Sequence, residues 1–116
     1  MIMTMRDGES NIGRMLMKIL FKEGTSEEAL QKIRASLKSR HLGELVQIKS
    51  TYQTITVQVN KMGRSTLEFE QHALEGGGFE WKLVKEKLAF AHKVLRSDIL
   101  SKLENILEPL GGSLIR

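Results

Sequence analysis

The segment from residue 85 to residue 110 constrains the fold more than any other part of this sequence. At about 100° per residue its apolar side chains collect on one side of a helix, opposite a charged side. No glycine or proline interrupts it before Pro109, and Gly111 follows as a stop signal. The pattern predicts one amphipathic helix that lies on a large apolar surface. Its apolar side comprises Leu88, His92, Leu95, Ile99, Leu103, Ile106 and Leu110, widened by Leu100 and Leu107.

A sheet in the middle of the chain is predicted to supply that apolar surface. Between residues 45 and 83 apolar and polar side chains alternate, which is typical of antiparallel strands with one buried and one wet face. Residues 60–63 have the composition of a turn, and the triple glycine at 76–78 that of a loop. The tail at 113–115 is a candidate for a short edge strand in this scheme. The predicted inward side chains are Val46, Ile48, Ile55, Val57, Val59, Leu67, Phe69 and Trp81.

The N-terminal part of the chain gives one clear helix and one ambiguous segment. Thr25 and Glu28 have the spacing of a capping box and predict a helix start. Residues 14–22 alternate between two faces, which favours a strand. However, Ser10 as a cap and Gly24 as a terminator would equally frame a short helix.

Length and composition indicate one cysteine-free domain. The chain has 116 residues, and its hydrophobic fraction of 41% and charged fraction of 28% are ordinary for a globular protein. The absence of cysteine removes disulfides, thiolate metal sites and cysteine nucleophiles, and it fits a reducing, cytoplasmic location. No apolar stretch is long enough to span a membrane, so no membrane partner is expected. We predict a frayed segment at 1–12 and a single α+β domain at 13–116. Its architecture is an antiparallel β-meander of four to five strands with two helices packed on one face.

Catalytic and cofactor motifs are lacking, so the chain is interpreted as non-enzymatic and no cofactor or metal is expected. The three histidines do not have the spacing of a metal site, and no nucleophile elbow or phosphate loop occurs. His92 is the most informative of them because it falls on the apolar side of the C-terminal helix. It is interpreted either as a core-edge imidazole bonded to a backbone carbonyl or to a carboxylate such as Glu70, or as a general base, pH switch or ligand-binding group that faces a cavity under the sheet. In the second case a small-molecule pocket would lie between sheet and helix, lined by His92, Trp81 and Glu70.

Charge is unevenly distributed along the chain. Residues 1–64 carry eleven Lys and Arg against six Asp and Glu, whereas residues 65–116 carry seven against eight. A basic half is typical of proteins that bind nucleic acid, although a solvated basic surface is the simpler interpretation. The candidate nucleic-acid contacts are Arg34, Lys38, Lys49, Lys61 and Arg64.

The function predicted from these observations is a small binding or assembly module that associates with itself. Two features support a homo-oligomer: the surplus apolar width at Leu100 and Leu107, and the polar, threonine-rich face of the strand around 54–59. The alternatives are a nucleic-acid-binding accessory protein that uses the basic half, and the small-molecule pocket beside His92.

Overall fold

A computed structural model of the protein describes residues 17–116, and the predicted frayed segment at 1–12 lies outside them. These residues form an α+β fold in which one antiparallel sheet carries helices on one face. In chain order the elements are β1 (Lys18–Phe21), α1 (Ser26–Ser39), β2 (Val46–Ser50), β3 (Thr54–Asn60), β4 (Arg64–Ala73), β5 (Phe79–Lys87), α2 (Phe90–Val94), α3 (Arg96–Leu107), a 3₁₀ turn (Glu108–Leu110) and β6 (Gly112–Ile115).

The sheet has six strands, in the order β2-β3-β4-β5-β1-β6, which is more than the four to five predicted. Strands β2 to β5 form the expected meander. The ambiguous N-terminal segment is a strand where the structure describes it, and β1 lies between β5 and β6. Ile19 pairs with Trp81 on one side and with Leu114 on the other. A strand at 14–22 was favoured and an edge strand at 113–115 was allowed by the sequence, but the partners of these two strands lie far away in sequence and were not predicted.

Helix α1 begins where the capping residues predict. The Thr25 backbone N–H donates to the Glu28 carboxylate at 3.0 Å, and the Glu28 N–H donates to the Thr25 hydroxyl at 3.2 Å. These reciprocal bonds satisfy donors that a helix start otherwise leaves open. Next to them, Trp81 Nε1–H donates to the Ser26 hydroxyl at 2.9 Å, which fixes the helix start to β5.

The prediction of one continuous helix over residues 85–110 is wrong. Strand β5 runs to Lys87, and the helical part is divided at Leu95 into α2 and α3. A bulge in β5 explains the first error: Leu83 lies opposite Phe69 and Lys85 opposite Glu68, so one extra residue interrupts the alternation. No described helix is long and apolar enough to cross a membrane.

The division at Leu95 coincides with bonds that anchor the two helices at different points of the sheet. His92 of α2 is bonded to the turn between β3 and β4, at the carbonyl of Lys61. Arg96 of α3 donates two hydrogen bonds to the Glu86 carboxylate at 2.9 and 3.0 Å. Because Glu86 lies opposite Leu67, it is on the helix-covered face of the sheet.

The core lies between the sheet and helices α1 and α3. Leu100 and Leu107, whose apolar width suggested an interface, are both buried in it. They therefore supply no exposed surface for self-association. A small cavity of about 60 Å³ remains between the layers, and every side chain that lines it is apolar. It is lined by Ile19, Ile33, Leu37, Val46, Ile48, Ile55, Val57, Leu67, Phe69, Trp81, Leu103, Ile106 and Leu107.

Candidate binding surface at one end of the sheet

One end of the sheet, which we call the basal end, carries the turn between β3 and β4 and helix α2. Strand β3 ends and β4 begins there, with Asn60 paired to Arg64 around residues 61–63. Strand β5 ends there as well, because Lys87 pairs with Thr66. The chain then turns directly into α2, so two segments far apart in sequence meet at this end.

A buried hydrogen-bond network around His92 holds α2 against the turn. His92 Nε2 lies 2.6 Å from the Lys61 carbonyl oxygen, to which it donates. Its Nδ1 is bonded to the Ser65 hydroxyl, and that hydroxyl also accepts from the Ala89 N–H at 2.8 Å. The three bonds are compatible with one another when the imidazole is neutral and its proton is on Nε2. The Ala89 N–H then donates to the Ser65 hydroxyl, this hydroxyl donates to His92 Nδ1, and His92 Nε2–H donates to the Lys61 carbonyl. His92 thus positions α2, and it lines neither the small apolar cavity of the core nor the cleft at the opposite end of the sheet.

The turn and α2 approach each other closely at Gly63. A Cβ atom at this position would lie 2.6 Å from the Cβ of Ala89, and the backbone φ is +125°. Both facts require glycine here. The result is that Met62, next to Gly63, and Phe90, next to Ala89, are carried by two segments in direct contact.

Large apolar side chains are exposed at this end. Met62 is 65% exposed, Phe90 81% and Val94 67%. Phe90 and Val94 are four positions apart on α2 and therefore share one side of it, opposite the buried His92. We call Met62, Phe90 and Val94 the apolar tip; side chains of this size in water usually mark a contact surface when they occur together.

Four exposed basic side chains lie at the same end of the sheet as the apolar tip. Lys61 and Arg64 flank the turn, Lys87 ends β5, and Lys93 lies on α2. We call these four residues the basic rim.

The acidic residues of this region are Glu44, before β2, Asp98, in the first turn of α3, and Glu86. Glu86 is neutralised by Arg96, whose pKa is raised above its ordinary value mainly by the hydrogen bond to that carboxylate.

Two of the five residues predicted to contact nucleic acid, Lys61 and Arg64, belong to the basic rim. Lys38 lies in the last turn of α1, which connects to the basal end through residues 41–45. Arg34 instead donates to the Ile48 carbonyl of β2 at 2.9 Å, and Lys49 lies on the sheet face that points away from the helices. Prediction missed Lys87 and Lys93, because both were placed in the single long helix.

The three residues proposed for a small-molecule pocket do not come together. Trp81 is buried in the core beside the start of α1. Glu70 is exposed on the sheet face away from the helices, where its carboxylate lies 2.9 Å from His72 Nε2. His92 lies at the basal end, in the network described above. Of the two interpretations of His92, the structure places it as an imidazole bonded to a backbone carbonyl.

A larger cleft, of about 530 Å³, lies at the opposite end of the sheet beside the start of α1. Four of its polar side chains, those of Thr25, Ser26, Gln71 and His72, bond to neighbouring groups of the chain. Thr25 and Glu28 cap the helix, Gln71 donates to two backbone carbonyls, and His72 bonds to Glu70. Within residues 17–116 no group of three or more His, Asp or Glu side chains is arranged to hold a metal ion. These four side chains of the cleft are therefore already engaged within the chain.

Comparison with protein-family models, curated proteins and solved structures gave no match for this chain. The basal end is therefore interpreted from its own geometry and charge.

The backbone of Met62 provides a first prediction at this surface. Its φ of +58° lies in the left-handed region, which costs a methionine roughly 1 kcal/mol and suits asparagine better. We expect Met62→Asn to raise the free energy of unfolding by about 0.5–1 kcal/mol in urea denaturation. Met62→Ala is the matched control, because it removes the same side chain but keeps the unfavourable backbone. Equal stability of the two variants would contradict the prediction.

Proposed function

We propose that the protein is a non-catalytic binding module that recognises an anionic surface through the apolar tip and basic rim. The observation that carries the proposal is the exposure of Met62, Phe90 and Val94 at the end where four exposed Lys and Arg residues are grouped. Apolar side chains left in water at a rigid, hydrogen-bonded end of a domain fit a contact surface. The positive charge of the basic rim favours a negatively charged partner.

The basic rim also argues against a second copy of the chain as the partner at this end. A symmetric dimer would bring the same patch of both subunits together. The rim of Lys61, Arg64, Lys87 and Lys93 would then face its own copy, and like charges brought together across an interface are unfavourable. An anionic partner gains from the same four charges.

Retention on immobilised heparin, a general polyanion, tests the proposal. We expect the wild type to bind at low salt and to elute as salt rises, because contacts with a polyanion are weakened by salt. The combined variant Lys61→Gln, Arg64→Gln, Lys87→Gln and Lys93→Gln should pass through the column at the same low salt.

The matched control removes four lysines elsewhere on the surface. Exposed lysines at positions 22, 32, 49 and 102 are changed to glutamine, so that both combined variants lose the same charge from the formal net of +4. The control should remain retained, with elution at moderately lower salt. Equal loss of retention in both variants would show a general charge effect and would contradict a binding surface at the basal end.

Self-association, the function expected first from the sequence, is a separate proposal that would use another surface. Among residues 17–116 the outer strands β2 and β6 each pair on one side only. Open strand edges are templates for pairing with another chain. Arg34 already occupies the Ile48 carbonyl of β2, so β6 is the less obstructed edge. Light scattering at high protein concentration measures whether a dimer forms.

A further inference from the structure

We infer that the anionic partner of the basal end is the surface of a lipid membrane. The apolar tip would enter the boundary between headgroups and acyl chains, while the basic rim contacts anionic headgroups. This inference rests on the proposed function and names its partner. It concerns attachment to a membrane surface, which needs no spanning helix.

The chemistry of the apolar tip favours lipid over nucleic acid. Met62 and Val94 are aliphatic, and neither can stack on a base or hydrogen-bond to its edge. Phe90 is the one aromatic side chain of the tip, and single-stranded nucleic acid is usually held by several. A hydrocarbon environment, in contrast, accepts all three side chains equally well.

The backbone at Met62 supports a role for its side chain outside the folded domain. A methionine with a φ of +58° and 65% exposure contributes little to packing and sits in a backbone region that disfavours it. Residues held in such regions are concentrated at functional sites. The strained turn presents an apolar side chain to the outside at a position where asparagine would suit the fold better.

The His92 network makes this surface rigid before it meets a partner. It connects the turn to α2 through the Lys61 carbonyl and the Ser65 hydroxyl, so Met62 and Phe90 are held on one end of the domain. A preorganised surface loses less conformational freedom on binding than a flexible loop. The apolar tip and the basic rim are thus held together on one rigid surface.

Flotation with vesicles provides the test. We expect the wild type to bind vesicles of equal parts phosphatidylcholine and phosphatidylserine, and to bind pure phosphatidylcholine vesicles far more weakly. Each lysine near an anionic bilayer contributes about fivefold in affinity, so Lys61→Gln combined with Lys93→Gln should weaken binding about 25-fold. Phe90→Ser combined with Val94→Ser should weaken it at least about tenfold, through lost burial of apolar surface.

Matched controls separate insertion from general effects. Tyr52, an aromatic residue that is 92% exposed in the turn between β2 and β3, lies away from the basal end, so Tyr52→Ser should bind vesicles like the wild type. Lys49→Gln should have little effect for the same reason. Met62→Asn should weaken vesicle binding while it stabilises the fold, which a damaged structure would not do.

The outcomes distinguish failure of this inference from failure of the proposed function. The Phe90→Ser and Val94→Ser variant keeps the basic rim and should still be retained on heparin. If it also binds phosphatidylserine vesicles like the wild type, insertion is disproved. If the wild type binds heparin and RNA but not vesicles, the membrane is disproved and the anionic-binding function stands. If the wild type binds neither heparin nor vesicles, both are wrong.

Discussion

Replacing Leu107 with alanine should lower the free energy of unfolding by about 3 kcal/mol, within the 2–5 kcal/mol typical of buried leucines. Leu107 is only 1% exposed and packs between α3 and the sheet, beside the small apolar cavity. Its removal would enlarge a space that the surrounding side chains already leave partly empty. Urea denaturation followed by circular dichroism measures the change.

Leu95 provides the comparison within the same helical region. It is 39% exposed at the junction of α2 and α3, and Leu95→Ala should cost less than about 1 kcal/mol. The pair of variants also tests the origin of any self-association. If Leu107→Ala left stability unchanged but altered the oligomeric state, Leu107 would be an interface residue and the described core would be incorrect.

His92→Ala should lower the free energy of unfolding by about 2–3 kcal/mol, because two polar groups of the network each lose a hydrogen bond. The Lys61 carbonyl loses its donor and the Ser65 hydroxyl loses its acceptor. Loss of this network should also loosen α2 from the turn. We therefore expect faster amide hydrogen exchange in α2 and weaker binding to anionic vesicles in the same variant.

His92→Gln is the conservative comparison, since its amide can donate to the Lys61 carbonyl in place of Nε2–H. It should recover part of the lost stability and slow the exchange in α2. The decisive measurement is amide hydrogen exchange in α2, which reports local opening of this helix. If His92→Ala lowered stability while exchange in α2 remained at the wild-type rate, the network would not be what anchors this helix.

The local structure of most elements could be predicted from sequence, because each depends on neighbours in the chain. Alternation identified β2 to β5, and the Thr25–Glu28 spacing identified the start of α1. The bulge near Leu83 could not be read in the same way. One extra residue breaks the two-residue period, and residues 85–88 then resemble the start of a helix.

The candidate surface was harder to predict because it depends on where β5 ends. The prediction of a single helix from residue 85 included Lys87 and Lys93 in that helix and assigned no environment to Phe90 and Val94. His92 was recognised as a polar residue on an apolar side, but its partners lie 27 and 31 positions away in sequence. Pairing over that distance is set by the tertiary fold, which periodicity does not report.

The position of β1 between β5 and β6 has a consequence for how the protein is made. During synthesis β1 emerges before both of its neighbours, and Ile19 meets them only after residues 81 and 114 have been added. Before β5 is made, neither flank of this four-residue strand is paired, and before β6 is made, one flank remains open. The sheet is thus completed only once β6 has been synthesised, and contacts so distant in sequence are the slow ones to form.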